Sequence, residues 1–193
     1  LRARAHTLYS SKPESCALIQ NPFSACESVL TEIENDDIWQ KIVVGNSDIP
    51  IGKFIQRLNN ADWVNQGRSY ISEGLCPFCQ QPTITDNFLE QLSQFFDAQY
   101  KEDVSRIAIL MSRYDAEIER VIPVLNALLE NARSIAVGGL DAEIFRVKIS
   151  NLDVQMRKNL TLFEQKKAEP SRKFAINCTH GLIAEFRYGY QYS

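Results

Sequence analysis

Residues 100–135 read YKEDVSRIAILMSRYDAEIERVIPVLNALLENARSI, and their apolar members decide the fold. Tyr100, Val104, Ile107, Met111, Tyr114, Ile118, Val121, Leu125, Leu128, Ala132 and Ile135 follow one another in alternating steps of four and three. That rhythm is the heptad seam of a coiled coil, in which a and d positions of one helix face another. Upstream, Thr85 or Asp86 can cap the same helix. A single helix of about fifty residues, roughly 75 Å long at 1.5 Å per residue, is therefore expected. Pro123 falls inside it, where the lost backbone bond predicts a local kink costing about 3 kcal/mol unless packing absorbs it. Leu110, Ile122, Val124 and Leu129 widen the apolar stripe, so this section should meet more than one helix.

Gly138-Gly139 supplies residues that end a helix and turn the chain. Beyond it Phe145, Ile149, Leu152, Met156, Asn159 and Phe163 repeat the four-three rhythm until Pro170 stops it. The expected fold is mainly α: a long antiparallel coiled-coil hairpin over residues 86–169, turning at 138–139. The return arm can cover the outgoing arm only from about Ala108 onward. The section from Phe88 to Ile107 then needs other cover, and the helices between Ile51 and Ile71 are the nearest candidates.

Three further segments flank the hairpin. Residues 1–49 carry the turn-prone runs Ser10-Ser11-Lys12-Pro13 and Gln20-Asn21-Pro22 with one short helix from Ser24 to Glu34, a small irregular module. Residues 50–85 place Ile51, Phe54, Ile55, Leu58, Val64 and Ile71 on one helical face. Asn59-Asn60-Ala61-Asp62 should split that stretch in two, with Asp62 capping the second helix and Gly74 ending it. In the tail, residues 170–193, Phe186, Tyr188, Tyr190 and Tyr192 alternate as in a strand.

Cys76-Pro77-Phe78-Cys79, followed by Gln80-Gln81-Pro82, carries the chemistry. A Cys-x-x-Cys turn puts two thiolates on one side of a tight knuckle, which suits tetrahedral zinc. Zinc then needs two more ligands. Cys16 and Cys26, or Cys178 and His180, are candidates within the chain. A second chain donating its own Cys76 and Cys79 needs no such coincidence and is favoured. Trp63 and Phe78 are expected to pack around the knuckle. The rival reading places Cys76 in a nuclease or thiol-redox active site, because Cys-Pro-aromatic-Cys resembles that of glutaredoxin. Such a site needs a strand before the thiol and a helix after it, whereas here the upstream segment reads helical and Pro82 cuts off a helix starting at Cys79.

The composition narrows the alternatives. At 193 residues with 45% apolar content the chain affords one domain, or a small domain plus a hairpin. A net charge of −3, with basic residues scattered, gives no support for nucleic-acid binding. Five cysteines, without a secretory signal or a membrane-length apolar run, argue for a reducing cytoplasm and no membrane. The start at Leu1 suggests a piece of a longer protein. Gly45-Asn46-Ser47-Asp48-Ile49-Pro50-Ile51-Gly52-Lys53-Phe54 fails as a phosphate loop: six residues separate the glycines instead of four, and Phe54 stands where a magnesium-binding hydroxyl belongs. Two histidines at opposite ends support no Ser-His-Asp set.

Asn59-Asn60-Ala61-Asp62-Trp63-Val64-Asn65-Gln66-Gly67, then the Cys76–Pro82 run, then Phe95-Phe96-Asp97 and Tyr100 opening a coil, together resemble the inserted region of bacterial ABC-type AAA ATPases. These are relatives of the PrrC and RloC anticodon nucleases and, more distantly, of SMC-type proteins. The resemblance covers about residues 42 to 171 and does not extend to the tail after Phe174. It implies a coiled-coil and knuckle insertion from a phage-defence or DNA-linked ATPase, and these residues are themselves expected to be non-catalytic. The ATP would bind in a separate head that carries the phosphate loop. Implied partners are that head or a second copy of the chain.

Overall fold

The computed structural model describes residues 22–135 and 141–189. Among them are seven α-helices and a 3₁₀ turn, Asp37–Trp39. The helices are α1 (Glu27–Glu34), α2 (Pro50–Leu58), α3 (Ala61–Arg68), α4 (Asp86–Phe95), α5 (Ala98–Ile135), α6 (Ala142–Ala168) and α7 (His180–Gly189).

The hairpin of α5 and α6 is the frame. Tyr114 meets Phe163 and Asn159, while Glu119 meets Arg157, so the two helices run antiparallel. Along the seam Tyr100, Ile107, Tyr114, Ile118, Val121 and Leu125 are buried, as are Phe145, Ile149, Leu152, Met156, Asn159 and Phe163 opposite. The double-glycine turn lies outside the described residues, as do the side chains of Ala132 and Ile135. Pro123 does not end α5. Leu110, Ile122 and Leu129 are buried beside the seam whereas Val124 stays half exposed, so the widened stripe is real apart from Val124.

One expectation fails at the start of the hairpin. Thr85 caps α4 by accepting from Phe88 N at 3.2 Å, but the helix stops after ten residues instead of running on. Phe96 leaves helical geometry, Asp97 accepts from Tyr100 N at 2.9 Å, and α5 starts afresh at Ala98. The break lets the consecutive rings of Phe95 and Phe96 both enter the core, edge to face at 4.8 Å. A continuous helix would splay two successive side chains by about 100°.

The base of the hairpin is covered as the arm lengths require, though from two sides. Helix α2 packs on α4, as expected. The 3₁₀ turn and the residues on either side of it cover α5, where Lys41 pairs with Asp103 at 2.7 Å and Arg106 with Asp36 at 2.8 Å. Trp39 stacks on Phe163 with centroids 4.0 Å apart and donates its indole N–H to Ile33 O.

Local signals were uneven. Asn59 ends α2 in the left-handed region, where Asn is tolerated. Asp62 does not cap α3. It accepts instead from the backbone N–H and the hydroxyl of Ser171, tying α3 to the segment that leaves the hairpin. Helix α3 ends at Arg68, and Gly74 belongs to a later turn with Glu73. The tail corrects the strand reading: residues 180–189 form α7, with Ile183 and Phe186 buried at helical spacing. Phe186 sits between Phe23 and Phe145. Tyr190 and Tyr192 lie outside the described residues.

Candidate functional site

The thiol knuckle is a loop on a short stem. Gly74 accepts from Ile84 N at 3.0 Å and Gln81 O accepts from Cys76 N at 2.9 Å, so the chain folds back on itself around residues 77–80. Gln80, at φ 59°, takes the left-handed conformation that closes the turn and donates its N–H to Cys76 O. Cys76 is half-buried and Cys79 exposed, both as free thiols. The backbone N–H of Cys79, followed by that of Phe78, holds the Cys76 thiol below its ordinary value. N–H groups aimed at sulfur favour the thiolate, the form that binds metal.

Trp63 from α3 stacks on Phe78 of the knuckle, centroids 5.6 Å apart and planes 20° from parallel. Both rings remain more than half exposed, at 56% and 75%. The stack therefore orients the knuckle on α3 without sealing it from water.

The other ligand candidates lie elsewhere. Cys26 is wholly buried in the core, and burial pushes its thiol up although Arg120 opposes that. His180 pairs through Nδ1 with Glu27 at 3.0 Å, and Cys178 is exposed just before it. Cys16 lies outside the described residues. No group of three or more metal-type side chains occurs among the described residues. The knuckle by itself offers two sulfurs, half of a tetrahedral set. Its continuation is a turn followed by α4 at Asp86, not a helix springing from the thiols.

The stretch 45–54, a turn that runs into the start of α2, is closely packed by its own fold. A Cβ on Gly45 would collide with the Phe95 carbonyl and ring, and one on Gly52 with the Asn46 carbonyl. Asn46 N donates to Phe95 O at 2.8 Å. These glycines permit close backbone packing.

Two buried polar centres escaped the sequence reading. Lys166 is fully buried, and its ammonium donates to the carbonyls of Lys41, Pro170 and Arg172 at 2.5–2.8 Å. Burial pushes it down to about 8, with Asp62 and Asp103 opposing. Its heptad position was the only signal, since it continues the Asn159–Phe163 stripe. The second centre is Glu34, which accepts from Tyr114 OH, Thr179 N and Thr179 Oγ1 at 2.7–2.9 Å. Asn159 joins it by donating to Tyr114 OH and to Asn177 O. Nothing in the local sequence of Glu34 marks it as buried.

Among the described residues, no helix is long and apolar enough to cross a membrane. A family model described as an AAA domain matches residues 4–188. No curated protein and no solved structure matches the chain.

Proposed function

The chain belongs to the AAA domain family, and from that premise we propose that it is a non-catalytic coiled-coil module which organises or transmits within a larger ATPase. The sequence resemblance narrows the parent to an SMC-like ABC ATPase of the anticodon-nuclease or phage-defence kind, working in the cytoplasm. ATP would be held by a head that is separate from these residues. The observation that carries the reading is the pairing of a long hairpin with the stretch 45–54, whose glycines are closely packed by Phe95 and Asn46, since phosphate binding needs open backbone N–H groups.

Cys76 and Cys79 would hold a zinc ion, the metal fixing the knuckle as a structural staple. Two thiols on one turn, with that of Cys76 held below its ordinary value, suit that role, and the remaining ligands would come from a second copy of the chain. The solvent-facing Trp63–Phe78 stack would flank the joint.

Metal analysis of the purified chain tests this reading. It expects about one zinc per two chains, lost together with the dimer when both cysteines become serine. Metal-free protein whose melting and mass are unchanged by that double substitution would reject it. Calorimetry with magnesium and ATP should show no saturable binding. Micromolar binding abolished by Lys53→Ala would restore the enzymatic rival.

A further inference from the structure

We propose that a cleft at the foot of the knuckle stem binds a singly charged organic anion, a carboxylate with a short apolar body. The cleft encloses about 320 Å³ between the Glu73-Gly74 turn, α4 and the first turn of α5. That volume is at the small end for ligand sites.

Two cations line it, Arg68 at the end of α3 and Lys101 at the start of α5. Neither forms an ion pair among the described residues. The Arg68 guanidinium lies 4.6 Å from the ring centroid of Phe96, which is itself fully buried. Stacking of this kind restrains a long side chain before any ligand arrives, so less freedom is lost on binding. Arg68 also lines the cleft, and a planar guanidinium suits a planar carboxylate.

Glu73 is the one carboxylate on the wall. Two positive charges and one negative leave a formal +1, which balances a carboxylate and leaves a phosphate dianion under-compensated. Ser93 adds a hydroxyl. Ile71 and the partly exposed Leu89 supply apolar wall, so an anion carrying a few methylenes gains burial that a bare ion cannot. The site requires neither the zinc nor the ATPase reading, and its failure would leave both untouched.

The test is a titration of the full chain with hexanoate, hexanol and inorganic phosphate at fixed ionic strength, followed by amide chemical shifts. Hexanoate should bind saturably, with shifts confined to residues 68–74, 89–93 and 101. Hexanol should bind about tenfold more weakly, the loss expected for one charge-assisted hydrogen bond, and phosphate should also bind more weakly, for want of apolar burial and of a second compensating charge. Lys101→Gln should reduce hexanoate affinity by a similar factor. Arg68→Gln should do the same, but its contact with Phe96 also serves the core, so the exposed Lys101 is the decisive position. Equal binding of hexanol would reduce the cleft to an apolar crevice. Tighter phosphate binding, no saturation by hexanoate, or an unchanged affinity in a folded Lys101→Gln protein would each overturn the proposal.

Discussion

The phenol of Tyr114 donates to Oε1 of Glu34 at 2.7 Å, joining residues 80 positions apart across a buried contact between α5 and α1. Desolvation and the neighbouring carboxylate together push the Tyr114 phenol well up. The bond makes the small amino-terminal helix part of the hairpin's core. Tyr114→Phe removes the donor and leaves a buried carboxylate oxygen under-satisfied. Stability should fall by about 1–3 kcal/mol, read from denaturant midpoints. An unchanged midpoint would mean that Glu34 is not held in this way.

At the base, Lys166 does for the exit segment what Glu34 does for the entry. Lys166→Met keeps the stem of the side chain but strips one donor from three carbonyls. A loss of about 2–3 kcal/mol is expected, accompanied by faster amide exchange around residues 41 and 170–172. Full protection there would show that those carbonyls find other partners.

Tyr100 gives a pH signature. Its hydroxyl is buried without a hydrogen-bond partner among the described residues. Burial, reinforced by Asp62, pushes it from 10 to about 12. With the folded value above the unfolded one, the unfolded chain releases the proton first, so stability falls as pH rises from about 10 to about 12. Tyr100→Phe should be neutral or slightly stabilising at pH 7 and should flatten that alkaline decline. A variant as pH-sensitive as the parent between pH 10 and 12 would contradict the assignment.

The seam itself is tested by a contrast of neighbours. Ile118 is fully buried, whereas Glu119 is exposed and only 3.8 Å from Arg157 in a solvent-facing pair. Ile118→Asp should cost more than about 3 kcal/mol, because it buries a lone charge. Glu119→Ala should stay within about 0.5 kcal/mol. Similar melting temperatures for the two variants would mean that the helices pack on other faces.

The heptad rhythm told most of the hairpin because an apolar stripe has only one economical use in water, burial against another stripe. Arm lengths alone showed that the outgoing helix needed further cover at its base. The break at Phe96-Asp97 was less legible, since it depends on two consecutive rings finding room in a core assembled from distant segments. Alternating aromatics in the tail suggested a strand, but no partner strand exists among the described residues. Docking of Ile183 and Phe186 beside Phe23 and Phe145 favours a helix instead.

The sequence by itself determined the periodic elements and the thiol pair, because spacing along the chain dictates which side chains share a face or a turn. Only the tertiary structure decided that Lys166 and Glu34 would be buried, that Asn159 in the seam would find Tyr114 and Asn177 as partners, that Asp62 would hold Ser171 instead of its own helix, and that Arg68 and Lys101 would share one cleft. Those pairings join residues far apart in sequence. A polar side chain enters a core only where such remote donors and acceptors offset its lost hydration.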